Sequence, residues 1–171
     1  MKELIWLCGI IPEEINEEIR KICLKENLDL HLSERFFRFN LHVSMKRTFC
    51  CEQFAEMKED IRKLLIAQGE IYCGHTQLLR NKDMLWLTMD QDERLKEVHH
   101  LIDSFLFEKY NVEIDTFDKN YLPHITIFHK GEFQNLITMQ ERLELILPSY
   151  PISISRYAIG SKIRGNEFFD V

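Results

Sequence analysis

Most of the familiar signatures of chemistry are missing from this chain. Its five cysteines, Cys8, Cys23, Cys50, Cys51 and Cys73, are odd in number and never fall at Cys-x-x-Cys spacing. That argues against a disulfide framework and against a zinc site, and it predicts reduced, mostly buried thiols. Glycine (six) and proline (four) are scarce in 171 residues. No Gly/Ser-rich linker divides the chain, so one domain, or two intimate lobes over residues 1–171, is expected. Gly-x-Ser-x-Gly, a Gly-rich phosphate loop ending in Lys-Ser/Thr and Gly-x-Gly-x-x-Gly are all absent, which removes the common nucleophile-elbow and nucleotide-loop enzymes. The apolar run Leu4 to Ile11 stops at Pro12, too short to cross a bilayer. No signal peptide is expected ahead of it, and a cytosolic protein without a membrane partner is the expectation. A formal net charge of −6 disfavours a broad surface for duplex DNA but leaves room for a local basic pocket.

What is present reads as alternating strands and amphipathic helices. Residues 3–11 predict a buried strand, and Pro12-Glu13-Glu14 a helix start that continues to about Lys25 through Ile15, Ile19, Ile22 and Cys23. A short strand is expected around Leu28 to Leu32, followed by the aromatic and basic run Arg35 to Phe39. Glu52 to Gln68 predicts a helix ended by Gly69. Residues 70–80 and 84–89 predict two strands joined at Asn81-Lys82-Asp83. Asp90 to Asp92 caps a third helix whose buried face is predicted as Leu95, Val98, Leu101, Ile102 and Phe105. On that helix His99 and His100 point about 100° apart, a poor metal pair. Residues 133–147 predict a fourth helix, Ile152 to Ile159 a strand, and Glu167 to Val171 a returning one after a turn.

Two stretches organise the rest. Leu41-His42-Val43-Ser44-Met45 and Pro123-His124-Ile125-Thr126-Ile127 each set a histidine two residues before a hydroxyl inside an apolar, β-branched run. On a strand, period-two alternation puts His42 with Ser44 on one face, and His124 with Thr126 likewise, while Val43, Met45, Ile125 and Ile127 bury the other. A single such triplet carries little weight. Two matched copies about 80 residues apart, each followed by a helical pattern, also mark a coarse internal repeat of element order.

On these residues the chain resembles the 2H phosphoesterase superfamily, which includes 2′-5′ RNA ligase-like proteins and cyclic nucleotide phosphodiesterases. The resemblance implies an α+β fold of two similar lobes, each a mainly antiparallel sheet backed by helices, with one motif from each lobe facing a central cleft. It also implies a metal-independent phosphoesterase without cofactor, acting on 2′,5′-linked or 2′,3′-cyclic phosphate ends of nucleotides or RNA, with ligation as the reverse reaction. The residue chemistry agrees: His42 and His124 can serve as acid and base near neutral pH. Ser44 and Thr126 can donate to the non-bridging phosphate oxygens. A non-catalytic module that binds nucleotide or RNA ends is the alternative, and no obligate protein partner is inferred.

Simple strand parity extends the motif face to Lys46 in the first copy and Phe128 in the second. This predicts a phosphate contact at Lys46 and a stacked base at Phe128, hence the base on the His124 side. His31, His75 and His129 lack matching partners and read as structural.

Overall fold

A run of apolar residues that ends at proline makes a strand and then a helix start, and the chain begins with that sequence. The computed structural model describes residues 3–26, 40–74, 76–89, 92–129, 136–146, 148–149 and 151–171. β1 (Leu4–Ile10) leads through Pro12 into α1 (Glu13–Glu26), whose first turn is acidic and whose last carries Lys25. β2 (His42–Cys50) holds the first motif. α2 (Phe54–Gln68) buries Phe54, Met57, Ile61 and Leu65 and stops at Gly69, whose φ of 69° is costly for other residues.

β3 (Ile71–Cys73), β4 (Gln77–Asn81) and β5 (Met84–Thr88) follow. The strand predicted over 70–80 is therefore two, each with its own partner: β3 pairs β7 (Ile152–Ile154) in a small second sheet, and β4 pairs β5. α3 (Glu93–Tyr110) starts at Asp92, whose carboxylate accepts the Leu95 N–H at 2.8 Å, and ends at Asn111 with φ 53°. Its buried stripe is Leu95, Val98, His99, Ile102, Asp103 and Leu106. Of the predicted face Leu101 is exposed and Phe105 half-buried, while two polar side chains, His99 and Asp103, join the buried stripe.

A four-residue turn of helix, α4 (Thr116–Lys119), closed by a capping box between Asp115 and Asp118, precedes β6 (His124–His129) with the second motif. α5 (Leu136–Ile146), β8 (Arg156–Ser161) and β9 (Gly165–Asp170) complete the chain. The strand predicted over 152–159 is divided between β7 and β8. In the β8–β9 hairpin a Cβ at Gly160 would meet the Gly165 carbonyl oxygen at 2.2 Å, so the strands approach too closely there for any side chain.

Among the described residues seven strands form one antiparallel sheet in the order β4-β5-β6-β2-β1-β8-β9. The two expected lobes are its halves, β2-β1-β8-β9 and β6-β5-β4, and they meet where the two motif strands touch. That seam is one residue pair long, Val43 with Ile125. One face of the sheet carries the apolar core, in which Ile5, Leu7, Val43, Met45, Ile125 and Ile127 pack with residues of α2, α3 and α5. Gly9 lies on that face as well: a Cβ there would stand 2.8 Å from Ile154 of β7, so glycine lets the small sheet seat against β1.

Each motif is followed by a bulge. Between Leu7 and Cys8 on β1, β2 steps from Lys46 to Ser44, leaving Met45 as the extra residue. Between Leu85 and Trp86 on β5, β6 steps from Phe128 to Thr126, leaving Ile127 extra in the same way. A bulge shifts side-chain parity by one, so consecutive residues are buried after each hydroxyl: Met45 with Lys46, and Ile127 with Phe128.

Candidate active site

Antiparallel pairing at Val43 and Ile125 places His42 across from Thr126 and Ser44 across from His124. The two motifs thus face each other head to tail, and each imidazole has the other strand's hydroxyl as its neighbour. His42 is exposed; Ser44, His124 and Thr126 are half-buried; Val43, Met45, Ile125 and Ile127 are buried between them. The predicted alternation therefore holds through the hydroxyls on both strands.

The two rings are held alike. His42 Nδ1 lies 3.1 Å from the Asn40 carbonyl oxygen, and His124 Nδ1 lies 2.8 Å from that of Leu122, two residues back in each case. A carbonyl can only accept, so Nδ1 carries the hydrogen in both rings and Nε2 is left to give or take a proton. His124 also stacks on Trp86 of β5, ring centroids 3.7 Å apart at 20°. Burial holds the His124 imidazole below its ordinary pKa, and the nearby His42 adds to this against the opposing Leu122 bond.

The neighbours of the two hydroxyls differ in size. Trp86 is paired with Thr126, whereas the small Cys8 of β1 is paired with Ser44. Accordingly a cleft of about 560 Å³ opens over the first half of the sheet, lined among others by Trp6, Cys8, His42, Ser44, Phe117 and Phe168. His124 and Thr126 stand across the seam from it rather than in its lining. Trp6 donates its indole N–H to Asn166 at 2.6 Å, and the Arg156 guanidinium sits 5.2 Å from the Phe168 ring centre. The Cys8 thiol, pushed up to about 12 by burial, is no nucleophile.

Two predicted substrate contacts are corrected. Lys46 is 3% exposed, with Nζ 2.8 Å from Asp103 Oδ1 and hydrogen-bonded to Asp118, so its charge is already paired inside the protein. Phe128 is 0% exposed and belongs to the core, so it offers no face to a base. The bulges turned both side chains inward. Trp6, Trp86 and Phe168 were missed: each is an unremarkable aromatic in a strand, and only the ladder register sets it beside a motif. The Arg35 to Phe39 run, His31, His75 and the His129 side chain lie outside the described residues.

Among the described residues one trio, His99, His100 and Asp103, brings metal-type donors within 4.8 Å of one another. It does not fit an ion, because both His99 nitrogens have partners and Asp103 is paired with Lys46. No described helix is long and apolar enough to cross a membrane.

No family model matches the chain, and no curated relative does. Solved structures do. The apo crystal structure of LigT from E. coli superposes with a TM-score of 0.60 at 17% identity, covering 100% of this chain and 95% of that one. The chain has the LigT fold. The crystal structure of a phosphoesterase gives 0.63 at 15% identity over 100% of this chain and 96% of that one. LigT complexed with 3′-AMP gives 0.59 at 16%, over 99% and 95%. These superpositions run over essentially the whole chain, so the likeness in fold takes in both halves of the sheet.

Proposed function

We propose that the chain is a 2H-type phosphoesterase that opens 2′,3′-cyclic phosphates or cleaves 2′,5′ linkages at nucleotide or RNA ends, without a metal. The observation that carries this is the reversed pair of motifs, each imidazole tethered through Nδ1 so that Nε2 is free. A phosphorus atom between the rings would have one nitrogen for the attacking hydroxyl or water and the other for the leaving ribose oxygen. Ser44 and Thr126 donate to the non-bridging oxygens. His124, with its depressed pKa, is neutral at pH 7 and takes the base role; His42 at the exposed end protonates the leaving oxygen. The bond from phosphorus to the leaving oxygen breaks as that to the attacking oxygen forms, and ligation is the same exchange reversed.

The nucleoside lies over the first half of the sheet, with its base against Trp6 and Phe168, opposite to the direction parity predicted. The open cleft there and the filling of the other side by Trp86 support this assignment. That LigT crystals hold 3′-AMP, ATP and NADP⁺ supports a nucleotide ligand.

Turnover of a panel of 2′,3′-cyclic and 2′,5′-linked nucleotides tests the proposal. Activity is expected to survive EDTA, to follow a bell-shaped pH profile with the acid limb below pH 6.5, and to vanish in His42→Ala and His124→Ala, with the double variant little worse than either. Tight binding by the wild type with no turnover of any panel member would reduce the protein to a nucleotide-end binder.

A further inference from the structure

Directly behind the first motif lies a buried cluster that the two-histidine chemistry does not use. Met45, the extra residue of the β2 bulge, has its carbonyl oxygen 2.8 Å from His99 Nδ1, and the neighbouring Ser44 carbonyl accepts the Tyr121 hydroxyl at 2.9 Å. The Tyr121 ring in turn stacks flat on His99, centroids 3.7 Å apart at 10°. His99 Nε2 lies 3.2 Å from Asp103 Oδ2 and 3.3 Å from the Asp118 carbonyl oxygen. Among the described residues every polar partner of the two ring nitrogens is an acceptor. A neutral imidazole has one N–H and one lone pair, and a lone pair cannot bond to a carbonyl or carboxylate; only the imidazolium satisfies both nitrogens.

The charges agree with that reading. Lys46 and His99 supply two positive charges against Asp103 and Asp118, and all four side chains are essentially excluded from water. With a neutral His99 the same buried cluster would hold one uncompensated carboxylate, which is strongly unfavourable.

We propose that His99 is a doubly protonated positioning residue: its imidazolium clamps the bulge behind Ser44, aims the Ser44 hydroxyl and His42 into the cleft, and by losing its proton sets an alkaline limit to activity. The clamp stands on the geometry alone; only its consequence for turnover rests on the phosphoesterase reading.

The groups facing the ring from each side are Asp103 and the tilted, exposed His100 on α3, Lys46 on β2, Asp118 on α4 and Tyr121 beyond it. The buried Cys73 thiol on β3, pushed up to about 12, stays uncharged. Burial pulls the His99 pKa down, but the Asp103 carboxylate beside the ring and the bond to the Met45 carbonyl outweigh it and the net shift is upward. Stability from this group is therefore complete below about pH 6.5 and is lost as pH rises through the folded-state value.

Nitrogen NMR of the histidine rings in ¹⁵N-labelled protein is the test, with His99 assigned by its absence in His99→Gln. Two protonated ring nitrogens are expected at pH 7. A single lone-pair nitrogen there, whether the ring is free or accepts from a protonated Asp103, overturns the clamp. Asp103→Asn is expected to lower the His99 midpoint by about one pH unit or more and to move the alkaline limb of kcat with it, KM unchanged. An alkaline limb that stays put although the His99 midpoint has moved below it refutes the positioning role. Should Asp103→Asn not fold, the wild type's own pH profile is set against its His99 midpoint: kcat is expected to fall as His99 loses its proton, and full kcat held above that midpoint refutes positioning. A wild type with no turnover on any substrate removes the phosphoesterase reading while leaving the NMR result to decide the clamp.

Discussion

Lys46→Ala removes one positive charge from a group of four buried side chains and leaves Asp103 and Asp118 sharing His99 alone. Taking one partner from a buried ion pair costs about 3–5 kcal/mol, because the stranded carboxylate is neither solvated nor neutralised. For a chain of this length that corresponds to a fall in Tm of about 6–20 °C. The loss should also depend on pH. In the wild type Asp103 is held below its ordinary pKa: burial opposes this, and the His99 and Lys46 contacts overcome it. Its stabilisation is therefore present above about pH 4 and lost as pH falls through the folded value. In the variant one carboxylate pKa rises above its unfolded value, so the destabilisation is full near neutral pH and fades on acidification. Urea unfolding of both proteins at pH 5 and pH 8, followed by circular dichroism, should show the larger gap at pH 8. A gap below about 1 kcal/mol, or a salt-dependent rise in KM with unchanged stability, would mark Lys46 as a solvated phosphate contact after all.

Ser44→Ala and Thr126→Ala should each lose on the order of 10²-fold in kcat with little change in melting temperature; a large fall in melting temperature without a catalytic loss would make both hydroxyls structural. Phe128→Ala should destabilise the fold by about 3–5 kcal/mol and leave nucleotide KM unchanged at low temperature, whereas a selective rise in KM would restore the base to the His124 side. Trp6→Ala should weaken nucleotide binding by about 1–3 kcal/mol, measurable by titration calorimetry, and unchanged affinity would remove the base from the first half of the sheet.

The helices and the motif strands were legible because their signals are local. Acids after Pro12, Asp92 before α3 and Gly69 after α2 act within a turn of where they stand, and the apolar stripes of α1 and α2 repeat within their own segments. Strand ends were less legible: nothing between Cys73 and Gln77, or around Ser155, announces that the chain changes sheets there, because pairing with a distant strand makes that choice.

His42, Ser44, His124 and Thr126 share faces because a strand alternates, and that much followed from two short stretches of sequence. Three things were decided only by the ladder. The one-pair seam reverses the motifs against each other; the bulges at Met45 and Ile127 turn Lys46 and Phe128 inward; and the pairing of Cys8 with Ser44 but Trp86 with Thr126 opens the cleft on one side. The physical reason is the same for all three. Alternation is a property of one strand's backbone, whereas register and bulges are relations between strands far apart in the chain. Parity counted along a single strand fails at the first extra residue its neighbour does not match.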